Sequence, residues 1–354
     1  MMSPRLFLLL PGDPETATGG YVYDRRMAQA LRELGWQVEV RSLSGQFPAP
    51  DEDALQAAEA VLAALPAGSL ALLDGLALGA MPQVARRHAA RLRLVALVHH
   101  PLARETGLEP AQAARLHESE RLALQAVQRV VVTSRATAAA LADYGVPAPR
   151  MAVVEPGCDP APLAPRRSLS GGVRELLCVA TLTERKGHEL LIESLAGLKA
   201  LPWRLVCVGS LTRNPAVALR VQGLLHAHGL TDRVHLAGEL VGTELQRRYL
   251  AADLFVLPTL YEGYGMVVAE ALSFGLPVIA TDTGAIAELL DTQAGRLLPP
   301  GDGGALQAAL RELLTTPGAL AACAAGAERR RTSLTSWPQQ AERLATVLRE
   351  VAAA

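Results

Sequence analysis

The chain has 354 residues, half of them hydrophobic and 19% charged, which supports large cores and excludes wholesale disorder. Lys+Arg is 34 and Asp+Glu is 35, so the net charge is −1 and nothing draws the whole chain onto nucleic acid or anionic lipid. Cys158, Cys178, Cys207 and Cys323 are far apart and form no C-x-x-C, which argues against a disulfide framework or structural zinc and for a reducing cytosol.

The opening apolar run stops at Pro11-Gly12. It is too short for a membrane helix of about 20 residues and lacks a signal-peptide cleavage pattern, so it reads as a buried strand over 6–10. A loop ending Thr18-Gly19-Gly20 leads to a helical pattern over 21–34, closed by Gly35. Further strands are predicted at 37–43, 70–73, 92–98, 129–133 and 151–154, with helices near 53–65, 79–90, 110–127 and 135–144. The run 156–172 is dense in proline and glycine and reads as an interdomain linker. The alternation then restarts, with strands at 175–180, 204–208, 233–236, 254–257, 277–280 and 296–298. After Pro300 the pattern is helical, with a last helix at about 338–351.

Repeated strand–helix alternation predicts parallel sheets covered by helices on both faces. The expected organisation is two α/β Rossmann-like domains, 1–160 and 161–337, facing a cleft. Ligands of such sheets bind beyond the carboxyl ends of the strands, so the loops there are the candidates for chemistry.

The most informative loop follows the strand at 254–257. It holds Glu262, Gly263, Tyr264 and Gly265 and leads into a helix from about Met266. The two glycines allow a tight turn, and the helix start offers N–H groups and a positive dipole end to a diphosphate. It is not the dinucleotide fingerprint, because the third glycine of G-x-G-x-x-G would fall on Val268. Glu262 and Glu270 frame the turn. A carboxylate is a strong acceptor for a vicinal diol, so two acids beside a phosphate site suit a nucleotide sugar. The plain alternative is a solvated loop acid and a surface helix acid.

These residues resemble a known family. Glu262-(seven residues)-Glu270 around Gly-Tyr-Gly looks like the E-x7-E motif of family-4 retaining glycosyltransferases. So do Gly275-Leu276-Pro277 onward to Gly284 and Glu288, the segment Val179 to Lys186-Gly187, Gly19-Gly20, Val131 to Ser134, Gly157 with Asp159, and Ser336-Trp337. The matches span nearly the whole chain in order. The resemblance implies the GT-B fold, with the final helix, about 338–354, returning to the N-terminal domain. That domain would shape the acceptor pocket, and 161–337 would bind the donor.

It also implies roles. Glu270 would bind the donor ribose, and Glu262 would lie against the donor sugar. Backbone N–H groups around Gly263, Tyr264, Gly265, Met266 and Val267 would touch sugar and phosphate. Lys186 would neutralise the leaving diphosphate. Only two of the 34 basic residues are lysines, Lys186 and Lys199, so a lysine at this place is itself a signal. The family commonly has an arginine where this chain has Thr181, and Arg185 is the candidate to replace its charge. Gly19 and Gly20, in the loop after the first strand, would let a backbone N–H approach the donor phosphate. His99 or His100, at the end of the strand 92–98, would meet the donor sugar, with Glu105 able to orient either ring.

The expected reaction is transfer of a sugar from a nucleotide diphosphate sugar, UDP first among the bases, to an acceptor hydroxyl. Retention of configuration is implied, with no metal and no cofactor. The acceptor (a saccharide, a lipid-linked glycan or a small molecule), the sugar and the oligomeric state are not readable. A sugar-nucleotide epimerase of the same fold and a degenerate nucleotide-sugar-binding protein stand as alternatives. A cytoplasmic location is expected, with membrane contact at most peripheral and no nucleic-acid partner. Asp51-Glu52-Asp53 resembles a metal-binding D-x-D, but an acidic helix start explains it better. The basic group Arg86-Arg87-His88 with Arg91 and Arg93 reads as a solvated face, with a lipid surface or anionic acceptor as the alternative.

Overall fold

The computed structural model describes residues 3–16, 18–105, 107–165 and 172–353. The chain forms two compact units, Met1–Gly157 with Thr335–Ala354 and Cys158–Leu334. In chain order the first contains β1 (Arg5–Pro11), α1 (Gly19–Glu33), β2 (Gln37–Leu43), α2 (Glu52–Ala63), β3 (Leu70–Asp74), α3 (Gly75–Leu78), α4 (Pro82–His88), β4 (Arg93–Val98), α5 (Pro110–Gln125), β5 (Arg129–Val132), α6 (Arg135–Ala140) and β6 (Met151–Val153). The second contains β7 (Arg174–Val179), α7 (His188–Ala196), β8 (Trp203–Val208), α8 (Pro215–Ala227), β9 (Val234–Leu236), α9 (Gly242–Ala251), β10 (Leu254–Leu257), α10 (Met266–Ser273), β11 (Val278–Thr281), α11 (Ile286–Leu289), β12 (Gly295–Leu298), α12 (Gly303–Thr315) and α13 (Ala319–Arg331). The last helix, α14 (Trp337–Ala353), belongs to the first unit and packs on α1.

Each unit is built on one six-stranded parallel sheet. The orders are β2-β1-β3-β4-β5-β6 and β12-β11-β10-β7-β8-β9. Both reverse direction once: between β1 and β3 in the first sheet, and between β7 and β10 in the second. Such a switch point leaves a crevice beyond the strand ends, because the connections on either side run away from each other. The strands are legible because both faces are covered. Leu70–Asp74 and Leu254–Leu257 are buried at every position, so they read as unbroken apolar runs.

α14 shows why its register is fixed. Trp337, Gln340, Ala341, Leu344, Ala345, Leu348 and Val351 are buried, a stripe at helical spacing. Trp337 meets the ring of Tyr23 at 6.0 Å, and the Arg26 guanidinium lies over its indole. Gly157 lies against the start of this helix. A Cβ there would stand 2.3 Å from the Trp337 nitrogen, so no larger residue fits without backbone movement.

Three local expectations change. The helix predicted near 79–90 is shorter, α4 from Pro82 on, and a separate short helix, α3, precedes it with Asp74 capping through the Leu76 N–H. The start of the 156–172 run is not a bare linker. The Ala164 N–H donates to the Phe274 carbonyl, and Arg331 donates to the Ala161 carbonyl, so the segment is strapped along the second unit; residues 166–171 of it lie outside the described residues. Gly19 and Gly20 are not loop residues but the first turn of α1. At position 20 a Cβ would sit 3.2 Å from Cδ2 of His99, so glycine lets the helix start pack closely on that ring.

Asp51 caps α2 through the Ala54 N–H, as an acidic helix start should. The basic group 86–93 is partly spent internally. His88 pairs with Glu59 at 2.7 Å, and Arg91 donates to the Leu62 and Leu65 carbonyls. No helix among the described residues is long and apolar enough to cross a membrane.

Candidate functional site

The switch point of the second sheet sets β7 beside β10, and the loops leaving those two strands meet. After β7 the chain makes a short 3-10 turn over Glu184–Lys186 and enters α7 through Gly187. Gly187 has φ +70°, and a Cβ on it would lie 2.1 Å from the Pro258 carbonyl oxygen. Glycine therefore lets the Lys186 turn press directly on the end of β10. The contact is tied by backbone bonds. The Leu260 N–H donates to the Arg185 carbonyl at 2.7 Å, and the Thr259 hydroxyl also reaches that carbonyl.

The result brings residues 76 positions apart into one ion cluster. Lys186 Nζ lies 2.5 Å from Glu262 Oε2, and Arg185 Nη1 lies 3.7 Å from the same oxygen. Arg185 Nη1 also donates to the Tyr261 carbonyl at 2.8 Å. The side chains of Lys186, Arg185 and Glu262 are 14%, 21% and 15% exposed, enough to be reached by a ligand and dry enough for charge to matter.

Glu262 is held by a second glycine that carries no chemistry of its own. A Cβ on Gly284 would fall 1.5 Å from the Glu262 carbonyl oxygen, and its φ is +58°. The loop after β11 can therefore lie directly against the Glu262 backbone only with glycine there. The sequence matched Gly284 to the family but could not say why it was needed.

Gly265 ends the turn at φ +92° and is the N-cap of α10. It has no side chain to cap with, so the helix start is furnished only by backbone N–H groups from Met266 and Val267 onward, while the Val268 N–H returns to the Gly265 carbonyl. Tyr264 is buried and packs into the core, and Val268 is fully buried, which explains why the third glycine of a dinucleotide fingerprint is not needed. One turn on, Glu270 Oε2 accepts from the Tyr249 hydroxyl at 2.8 Å. Tyr249 is buried and stacked on Phe274 at 4.9 Å, so it fixes one oxygen of Glu270 from the core side. Tyr249 was not singled out from sequence. It is the one buried residue of α9, so no apolar stripe marked its face.

Thr181, where the family pattern has arginine, is half-buried near the start of the same loop. Arg185 is the second cation at Glu262. Among the described residues the second unit holds no cluster of His, Cys, Asp and Glu with metal-ligand spacing.

The two candidate histidines separate clearly. Both follow β4, but His99 turns inward between Asp24 and Asp74, whereas His100 Nε2 pairs at 3.2 Å with Glu105, a carboxylate 43% exposed. Glu105 therefore orients His100 and not His99. All of the second unit's candidates gather around the β7/β10 switch point or the start of α10. Gly19, Gly20, His99 and His100 belong to the first unit.

The chain is similar to known proteins. The profile "Glycosyltransferase Family 4" matches residues 18–162, and "Glycosyl transferases group 1" matches residues 173–316. The chain is 32% identical over 281 residues to a D-inositol 3-phosphate glycosyltransferase of Thermobispora bispora, covering 72% of this chain and 65% of that protein. It is 29% identical over 272 residues to an MMP alpha-(1->4)-mannosyltransferase of Mycolicibacterium hassiacum, covering 72% and 64%. The chain thus spans just under two thirds of the length of these relatives. In fold it is similar to sucrose-phosphate synthase of Thermosynechococcus elongatus, with a TM-score of 0.82 at 22% identity over 99% of both chains. It is also similar to Anabaena HepE in complex with UDP-glucose, with a TM-score of 0.77 at 18% identity over 98% and 99%. The fold is that of the GT-B enzymes, and the chain belongs to glycosyltransferase family 4.

Proposed function

We propose that the chain transfers a sugar from a nucleoside diphosphate sugar to an acceptor hydroxyl, with retention of configuration and without a metal. The observation that carries this reading is the meeting of Lys186 and Arg185 with Glu262 at one end of the second sheet, beside an α10 start made of backbone N–H groups. The site offers two cations and a helix end to a diphosphate, and a carboxylate on each side of it. A leaving diphosphate needs positive charge as the glycosidic bond breaks, and fixed donors of this kind supply it without reorganisation. Lys186 and Arg185 would take the place of a divalent ion.

The roles follow from position. Lys186 moves from its Glu262 counter-ion to the phosphates when the donor arrives. Glu262, relieved of its cation, faces the sugar and stabilises positive charge at the reacting carbon. Glu270, held by Tyr249, accepts from the ribose hydroxyls. In a front-face reaction the leaving phosphate takes the acceptor's proton, so no separate base is required. UDP is the expected nucleotide, in line with HepE, whose structures hold UDP and UDP-glucose. The acceptor is a saccharide, a lipid-linked glycan or a small molecule bearing a hydroxyl.

Calorimetric titration with UDP, GDP, ADP and NAD, first without metal and then with magnesium, tests the reading. Binding of one nucleoside diphosphate without metal is expected. Binding that appears only with magnesium would overturn the metal-independent mechanism, and no binding to folded protein would overturn the transferase reading.

A further inference from the structure

The Lys186–Glu262 pair stands on a buried hydroxyl. Thr259 lies just past the end of β10, after Pro258, and is wholly buried. Its Oγ1 is 3.0 Å from the Arg185 carbonyl oxygen and 2.9 Å from the Tyr261 carbonyl oxygen. Those carbonyls belong to the peptide groups that lead into Lys186 and Glu262. A peptide group is planar, so holding its carbonyl sets the direction in which the next residue leaves. One hydroxyl thus sits between the two peptide planes that carry the ion pair.

Burial of the hydroxyl alone does not demand this arrangement. A threonine has one O–H proton, and a single acceptor satisfies it. Neither carbonyl depends on it for a donor. The Arg185 carbonyl also accepts from the Leu260 N–H at 2.7 Å, and the Tyr261 carbonyl from Arg185 Nη1 at 2.8 Å. What the hydroxyl adds is a tie across segments that lie far apart in the chain. Thr259 is itself held from the neighbouring strand, because the Thr281 hydroxyl at the end of β11 donates to the Thr259 carbonyl. No ligand reaches a side chain this deeply buried, so Thr259 acts only through the residues it holds.

We propose that Thr259 is a positioning residue: its hydroxyl braces the Arg185–Lys186 peptide against the Tyr261–Glu262 peptide and so sets where the Lys186 ammonium stands. The proposal rests on the transfer reading above for what that ammonium does, which is to stabilise the leaving diphosphate. Thr259→Val keeps the branched shape and removes the tie. Both carbonyls retain a donor in that variant, and the Leu260–Arg185 backbone bond remains, so the loss falls on placement rather than on the fold. Thr259→Ser keeps the hydroxyl and gives up only a methyl group.

The test exploits the lysine content, because Lys186 and Lys199 are the only lysines in the chain. Carbon-13 labelling at lysine Cε gives one NMR signal for each, and the Lys186 signal is the one lost in Lys186→Arg. Thr259→Val should move the Lys186 signal and leave that of Lys199, and Thr259→Ser should return it towards the wild-type position. In turnover of a nucleotide sugar, Thr259→Val should lower kcat about tenfold with a smaller change in donor KM, the scale expected when a catalytic group is displaced by less than about 1 Å. Thr259→Ser should recover most of that loss. Added to Lys186→Ala, Thr259→Val should cost far less than it does in wild type, because it acts through Lys186. An unmoved Lys186 signal, a wild-type kcat, or the full loss repeated on top of Lys186→Ala would overturn the proposal. If Thr259→Val does not fold, Thr281→Val decides in its place: by freeing the Thr259 carbonyl it should move the same signal by less, and no movement would overturn the brace. A Lys186 signal that moves in a protein whose wild type turns over no nucleotide sugar would remove the transfer reading and leave the brace.

Discussion

The two units present the same architectural place, a parallel-sheet switch point, furnished in opposite ways. In the second unit the charges are one carboxylate and two cations, partly exposed and joined by a short Lys186–Glu262 pair. In the first, two buried carboxylates close on one histidine, whose Nε2 is buried between them. The second unit's pair is partly exposed, so an anion could compete with Glu262 for Lys186. The first unit's charges are buried against one another. The fold sets where chemistry can occur, and the placing of charge decides whether a site captures a ligand or orients a group against one.

Removing a cation from the second unit should be the largest single blow to turnover. Lys186→Ala should lower kcat by about 10²–10³-fold, the usual effect of deleting one electrostatic stabiliser, with a smaller change in nucleotide affinity. Equal losses in steady-state kcat/KM and nucleotide binding would reduce Lys186 to a binding residue. Gly284→Ala comes next. It forces a Cβ into the Glu262 carbonyl at a positive φ, so activity should fall with a loss of about 1–3 kcal/mol of stability, read by urea unfolding. A variant that keeps both would mean that the Glu262 backbone does not depend on that contact.

Glu270→Ala should weaken nucleotide binding by about 1.5–3 kcal/mol for each charge-assisted bond to ribose that is lost. Unchanged affinity would remove the ribose role. A further effect is expected on stability against pH, and it belongs to the first unit. His99 is raised from 6.5 to about 10, so its contribution is fully present below pH 6.5 and lost as pH rises through about 10. Asp24 is raised by burial from 3.8 to about 6, with His99 opposing, so its contribution is already lost by neutral pH. Tm should therefore fall between pH 7 and 10, and His99→Gln should flatten that fall. An unaltered slope would show that His99 is not the group titrating.

Much of this contrast was legible in the sequence of the second unit and little of it in the first. Glu262, Gly265 and Glu270 lie within nine positions, so local spacing exposes the turn and its acids. The pairing of Lys186 with Glu262 is not local. It depends on β7 neighbouring β10, a sheet order that composition and periodicity do not specify. The buried strands could be read as apolar runs, with ends shifting by one residue, as in Arg5–Pro11 against the expected 6–10.

Asp24 and Asp74 were missed because each looks ordinary alone. Asp74 reads as a helix cap, and it is one. Asp24 did leave a trace: it shares the buried stripe of α1 with Met27, Ala28 and Leu31, and a carboxylate at a core position calls for a partner. Gly20 was placed in the loop after the first strand, whereas it lies in the first turn of α1, where a Cβ would stand 3.2 Å from Cδ2 of His99.

The central claim is that the second switch point divides its work, with cations for phosphate and Glu270 for ribose. Titrating UDP and uridine, without metal, into wild type, Lys186→Ala and Glu270→Ala tests it most directly. The account predicts that Lys186→Ala weakens UDP and leaves uridine unchanged, while Glu270→Ala weakens both. If Lys186→Ala weakened uridine as much as UDP, or Glu270→Ala spared uridine, the division of the site would be contradicted.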